Sequence, residues 1–159
     1  MSTTNIHATG LVLGTTGLIL RGPPGAGKSL LALELLDEWE ARGLAAKLVS
    51  DDRVDIEVTP KGLVMQAPKA IEGLIELRGR GIVKRPFAAS APLHLVVDLV
   101  ETVERMVEED ALVTALEGIT IARCPVPRAG RVDSRHQMLL IREALRAFSP
   151  NVPARKKTS

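Results

Sequence analysis

A chain of 159 residues, 45% hydrophobic and 25% charged, has the size and balance of one globular domain with a substantial core. The formal net charge is +2, and Arg155, Lys156 and Lys157 in the last residues account for the excess, so the body carries no basic field for a nucleic acid. Aromatics are confined to Trp39, Phe87 and Phe148, too few for a base-stacking platform, and the lone Cys124 reads as a small buried residue rather than half of a disulfide or part of a metal cluster.

No apolar run reaches the length of a membrane span, and residues 1–10 lack the basic-then-apolar order of a signal peptide. The expectation is a cytoplasmic protein that engages neither membrane nor nucleic acid.

Residues 5–13 read as a strand or strand pair, followed by a turn of small residues at Gly14-Thr15-Thr16-Gly17. A second apolar strand, Leu18-Ile19-Leu20-Arg21, leads into Gly22-Pro23-Pro24-Gly25-Ala26-Gly27-Lys28-Ser29. A helix is expected from Lys28 to about Arg42, closed by Gly43, and then an apolar strand from Ala45 that ends at Asp51-Asp52. Strand, loop, helix and strand make one βαβ unit.

Val54 to Val58 alternates apolar with acidic residues, Thr59-Pro60-Lys61-Gly62 turns, and Leu63 to Ala67 returns, which is a β-hairpin. Pro68 to Ile75 suits a short helix or turn, and a glycine-punctuated segment follows at Glu76-Leu77-Arg78-Gly79-Arg80-Gly81. Residues 84–92 read as loop, Leu93 to Val100 as a buried strand, and Glu101 to Leu116 as polar helix or loop. Ile119 to Ala122 is a last short strand, Pro125 to Gly130 a loop, and Ser134 to Phe148 an amphipathic helix. The domain is expected over residues 1–148, with 149–159 a disordered basic tail.

Gly22 to Ser29 fits the phosphate-loop pattern G-x-x-x-x-G-K-[ST] at every fixed position, in the strand-loop-helix context the pattern requires. Gly22 and Gly27 permit backbone N–H groups to converge on a polyphosphate, and the helix start adds its positive dipole end. Lys28 then reaches the outer phosphates and the Ser29 hydroxyl coordinates Mg²⁺. The whole loop, Gly22, Pro23, Pro24, Gly25, Ala26, Gly27, Lys28 and Ser29, is therefore the expected nucleotide site, with a nucleoside triphosphate and Mg²⁺ as ligands.

Two acidic positions compete for the metal or base role. Asp98 ends an apolar strand as a Walker B aspartate does; Asp51-Asp52 ends another with two carboxylates, which can divide metal binding from proton transfer. The plainer alternative for the pair is a solvated turn or cap. Arg78 and Arg80 suit charge stabilisation on a transferring phosphoryl group, or equally a surface ion pair in a hairpin. His7, flanked by apolar residues, suits a structural histidine as well as a catalytic one.

Taken together and in this order, His7, the loop Gly22 to Ser29, Leu48-Val49-Ser50-Asp51-Asp52-Arg53-Val54 and Ile75-Glu76-Leu77-Arg78-Gly79-Arg80-Gly81-Ile82 resemble the catalytic domain of HPr kinase/phosphorylase. The resemblance implies an α/β fold with a P-loop-containing mixed β-sheet, like the catalytic domain of phosphoenolpyruvate carboxykinases. It also implies a short form without the family's N-terminal domain.

It implies ATP and Mg²⁺ as cofactors and transfer of the ATP γ-phosphate to a serine of HPr, the phosphocarrier of the sugar phosphotransferase system. In many members phosphorolysis of that phosphoserine runs as well, and the family resemblance implies a hexameric homo-oligomer. By position the resemblance implies Asp51 or Asp52 as the base, with the other nearer Mg²⁺, and a metal side taken as Ser29, Glu76 and Asp52. Lys28 and Arg78 stabilise phosphates, His7 lies beside the acids, and Arg105 matches a family arginine near the active site. Pro125-Val126-Pro127-Arg128-Ala129-Gly130-Arg131 is an altered version of a family loop that contacts HPr and neighbouring subunits.

Two other readings stand beside it. One is an ATP-binding regulatory module with vestigial chemistry. The other is a small-molecule kinase or ATPase that uses Asp98 for its metal.

Overall fold

Leu18, Ile19 and Leu20 are all fully buried, which consecutive residues of an extended chain achieve only when both faces of their sheet are covered. The computed structural model, which describes residues 3–148, shows what covers them. Its strands are β1 (Thr3–Ile6), β2 (Thr9–Leu13), β3 (Thr16–Arg21), β4 (Ala46–Ser50), β5 (Val54–Thr59), β6 (Gly62–Gln66), β7 (Leu74–Leu77), β8 (Gly81–Lys84), β9 (Ser90–Pro92), β10 (Leu95–Val100), β11 (Val113–Leu116) and β12 (Ile119–Pro127). The helices are α1 (Lys28–Ala41) and α2 (Ser134–Leu145).

Six strands form a mixed sheet in the order β11-β12-β10-β3-β2-β4, and four form an antiparallel sheet in the order β1-β5-β6-β9. Alternate side chains of β3 divide between two cores. Leu18 and Leu20 pack with Leu31 and Leu35 of α1, whereas Ile19 packs with Ile56 and Met65 of the smaller sheet. The same division holds on β10, with Leu95 and Val97 on the helical side and Val96 on the other. The order of layers is therefore helices, six-stranded sheet, four-stranded sheet.

β3, β10 and β12 run parallel, and β4 shares their direction because β2 is antiparallel to both β3 and β4. Their carboxyl ends thus lie on one edge, where open α/β sheets bind ligands. β7 and β8 form a separate hairpin, anchored through the buried Ile75 in the helical core.

Local chemistry fixes the ends of the elements. α1 starts from Gly27 at φ 92°, which suits glycine, and stops before Gly43 at φ 75°. α2 starts where the Asp133 carboxylate accepts the His136 amide at 3.0 Å. Gly17 is stapled to His94: its N–H donates to His94 Nδ1 at 3.0 Å, and the His94 N–H donates to its carbonyl at 2.8 Å.

The expected mixed sheet, hairpin and two helices are present, with four corrections. β3 and β4 are not neighbours, since β2 is inserted between them, so the unit is a wider crossover. Residues 84–92 are not all loop, because β9 closes the edge of the smaller sheet against β6. Glu101 to Leu116 contains a 3-10 turn at Glu109–Leu112 and then β11, an edge strand. Finally, β12 continues through Pro125 to Pro127, prolines that β12 tolerates because β11 accompanies it only as far as Ala122. Cys124 is buried as expected, and burial pushes its thiol up to about 11. The expected tail at 149–159 lies outside the described residues.

Candidate active site

The loop Gly22–Gly27 links the end of β3 to the start of α1. Pro23, Pro24 and Gly25 are exposed, while Ala26 is buried. Gly25 and Gly27 have φ of 83° and 92°, and a Cβ on Gly27 would stand 2.9 Å from Ala129 Cβ. Glycine there serves both the left-handed backbone and the close approach of a neighbouring segment. Lys28 Nζ donates to the carbonyls of Gly22 at 2.9 Å and Pro23 at 3.3 Å, so its ammonium braces the curve of the loop.

Ser29, on the first turn of α1, faces the end of β4. Its Oγ donates to Asp51 Oδ1 at 2.6 Å. The same carboxylate oxygen accepts from Thr9 Oγ at 3.0 Å, and Oδ2 accepts from the Glu76 amide at 3.2 Å. Asp51 is therefore half-buried and fixed from three elements: α1, β2 and β7. Asp52 is exposed, has φ 70°, and its amide donates to Thr9 Oγ at 3.2 Å. The turn is closed by the Ser50 hydroxyl on the Arg53 carbonyl and by the Arg53 amide on the Asp51 carbonyl at 2.8 Å.

Asp98 has a different environment. Arg21 grips it in a bidentate pair at 2.8 and 3.0 Å, and Arg123 adds a contact of 2.6 Å. Burial alone would raise its carboxyl, but the hydrogen bonds and charges of Arg21 and Arg123 prevail and hold it below the usual carboxylate range. Two guanidinium groups thus occupy the carboxylate offered as a metal aspartate, whereas that of Asp51 faces the Ser29 hydroxyl. Asp98 ties β3, β10 and β12 together under the loop.

A strap crosses the same edge. The Arg128 amide donates to the Val100 carbonyl at 2.8 Å and the Ala129 amide to the Ala26 carbonyl at 3.3 Å. Glu101 receives Arg128 at 2.7 Å and Arg131 at 3.0 Å, and Arg131's hydrogen bond first, with Arg128's charge, lowers its carboxyl. The sequence showed these arginines only as a departure from a pattern, and their common partner Glu101 lies a whole hairpin away.

His7 is exposed at the bend between β1 and β2, two residues from Thr9. Glu76 and Arg78 are exposed on the β7–β8 hairpin, whose backbone meets Asp51 through the Glu76 amide. Arg105 lines a cleft of about 540 Å³ with Val103, Val107, Arg123, His136 and Leu140, and that lining includes neither Asp51, Asp52 nor any residue of Gly22 to Ser29. Thr9 escaped the sequence reading, although a hydroxyl in an apolar strand carried one usable signal: a buried polar group requires a partner.

Among the described residues no group of three His, Cys, Asp or Glu side chains can hold a metal. The Ser29 hydroxyl beside the Asp51 carboxylate nevertheless fits Mg²⁺, which keeps waters and completes its shell with phosphate oxygens rather than a full protein cage. The arrangement can cradle a polyphosphate, hold a hydrated divalent cation against it and present a free carboxylate, that of Asp52, beside them.

Comparison with known proteins places this geometry in a family. Residues 1–144 match the family model described as the HPr Serine kinase C-terminal domain. The HPr kinase/phosphorylase of Clostridium acetobutylicum is 34% identical over 130 residues, which are 77% of this chain and 40% of that protein. That of a Geobacillus species is 37% identical over 105 residues, 61% of this chain and 32% of that protein. The chain thus spans less than half the length of these curated relatives. The structure of the HPr(Ser) kinase/phosphatase from Coxiella burnetii superimposes with a TM-score of 0.72 at 26% identity, covering 91% of this chain and 92% of that one.

Proposed function

The chain belongs to the HPr serine kinase C-terminal domain family, and from that membership we propose that it transfers the γ-phosphate of ATP to a serine of HPr. The observation that carries the reading is the 2.6 Å contact between Ser29 Oγ and Asp51 Oδ1, because a phosphate-loop hydroxyl paired with a strand-end aspartate is the Mg²⁺ side of a nucleotide kinase.

Gly22 to Lys28 bind the triphosphate, with Lys28 turning from the carbonyls of its own loop to the outer phosphates. Ser29 and Asp51 would hold the cation, and Glu76, whose backbone amide meets Asp51, is the third residue assigned to it. The cation when bound neutralises charge on the β- and γ-phosphates. The resemblance implied Asp52 beside Ser29 and Glu76 on the metal side; the contact of Ser29 with Asp51 favours Asp51 there instead and leaves the exposed Asp52 as base. Asp52 takes the proton from the serine hydroxyl as its oxygen forms a bond to the γ-phosphorus, while the bond to the bridging oxygen breaks and ADP leaves. Arg78 stabilises the charge on the transferring group, with His7, two residues before Thr9 in the chain, and Arg105 as the further residues assigned to the site.

In phosphorolysis Asp52 takes a proton from inorganic phosphate as the phosphate oxygen bonds to the phosphoserine phosphorus; the bond from phosphorus to the serine oxygen breaks, Asp52 passes the proton to that oxygen, and pyrophosphate leaves. A cytoplasmic location and a hexameric assembly complete the reading; no helix among the described residues is long and apolar enough to cross a membrane.

The test is transfer from labelled ATP to HPr with Mg²⁺ present, followed by identification of the modified residue. Phosphoserine on HPr supports the reading. Tight ATP binding with no transfer would instead favour a nucleotide-binding regulatory module.

A further inference from the structure

We propose that Thr9 is the positioning residue of the acidic pair, an inference that rests on the kinase reading for its catalytic consequence. Thr9 is fully buried, yet its hydroxyl is used in both directions. It donates its one proton to Asp51 Oδ1 at 3.0 Å and accepts the Asp52 amide at 3.2 Å. One side chain on β2 therefore fixes the carboxylate of the first acid and the backbone of the second.

Both halves of this clamp have a physical purpose. Asp52 holds φ at 70°, a left-handed conformation that a residue with a Cβ adopts at a cost and keeps when its surroundings fix it. The hydrogen bond from its own N–H to Thr9 supplies that restraint and aims its side chain outward. Asp51 Oδ1, meanwhile, is shared between the hydroxyls of Thr9 and Ser29. Once Ser29 engages a cation, its hydroxyl proton can turn away, and Thr9 remains the hydroxyl donor that keeps Asp51 in place. Thr9 touches neither nucleotide nor HPr in this scheme; it acts through Asp51 and Asp52.

The position separates shape from chemistry. Thr9→Val keeps the branched shape and removes both hydrogen bonds, whereas Thr9→Ser keeps the hydroxyl and leaves a small void. A purely structural threonine in this apolar surrounding favours Val over Ser. A positioning threonine favours Ser over Val. Losing an outer partner of this kind typically costs about 10- to 100-fold. We therefore expect Thr9→Val to lower kcat by that amount with KM for ATP nearly unchanged, and Thr9→Ser to restore most of it. Thr9→Cys, with its weaker donor, should fall between them and serves if the Val variant does not fold.

Hydrogen exchange at the Asp52 amide, followed by NMR, reads the clamp without reference to activity. Protection in wild type and Thr9→Ser, lost in Thr9→Val or reduced in Thr9→Cys, is the expected pattern. Equal protection in all variants, or kcat for Ser as low as for Val, overturns the proposal. A wild type that fails to phosphorylate HPr overturns the kinase reading instead, and the exchange pattern then still decides whether Thr9 holds the pair.

Discussion

Ser29 Oγ and Asp51 Oδ1 lie 2.6 Å apart, joining the first turn of α1 to the end of β4, while Asp98 is closed off by Arg21 and Arg123. The two aspartates should therefore fail differently. Asp51→Asn should reduce phosphotransfer by about a thousandfold or more, since it removes charge from a preorganised cation site. Asp98→Asn should keep most turnover but lower stability by about 1–3 kcal/mol, because its charge-assisted hydrogen bonds to two arginines are weakened. Denaturant titration beside initial rates separates the outcomes; a catalytically dead but fully stable Asp98→Asn would reverse the assignment.

Lys28 braces the loop through the carbonyls of Gly22 and Pro23. Lys28→Ala should lower phosphotransfer by about two orders of magnitude or more, through loss of a fixed charge at the phosphates. The half-buried braces contribute little to folding, so stability should change by about 1 kcal/mol. Melting curves and rates on the same preparation check both statements.

Gly17 offers a stability test remote from the chemistry. A Cβ there would stand 1.9 Å from the Pro92 carbonyl oxygen, a backbone atom that cannot swing aside. Gly17→Ala should cost at least about 2 kcal/mol by forcing β3 and β9 apart. Gly14→Ala meets nothing within 4 Å and is disfavoured only by φ 65°, so it should cost about 1 kcal/mol. Urea unfolding of the two variants ranks them.

Stability should decline with acidification in two windows. Burial lowers the pKa of His94, whose Nδ1 must stay unprotonated to accept the Gly17 amide. The unfolded chain then binds the proton first, so stability falls as pH drops below 6.5 and continues to fall until the folded imidazole titrates. Asp98 acts lower: its contribution is present above 3.8 and is lost as pH falls through its depressed folded value. His94→Asn, whose amide oxygen can accept the same bond, should flatten the upper window and leave the lower one intact in pH-dependent denaturation.

The phosphate loop was legible in the sequence because each of its functions depends on consecutive residues. The order of acids was not, since Asp51 and Asp98 both follow apolar runs in the sequence; what separates them is that α1, β2 and β7 meet Asp51 at the end of β4 whereas Asp98 lies within β10 between Arg21 and Arg123. Arg21 directly precedes the loop and Arg123 lies in the last strand, so their shared hold on Asp98 exists only once β3, β10 and β12 align. β9 and β11 were missed for another reason: both are short edge strands whose residues alternate weakly, and Pro92 within the first argues locally for a loop. Thr9 lies between these cases, visible as a polar residue in an apolar strand but without a partner until β4 is placed next to β2.

The most direct measurement is phosphotransfer itself: purified protein, Mg²⁺, γ-labelled ATP and HPr, with mass spectrometric mapping of the product. The expected result is a single phosphoester on a serine of HPr, formed far more slowly by Lys28→Ala and by Asp51→Asn. ATP bound and HPr unmodified under the same conditions would contradict the account.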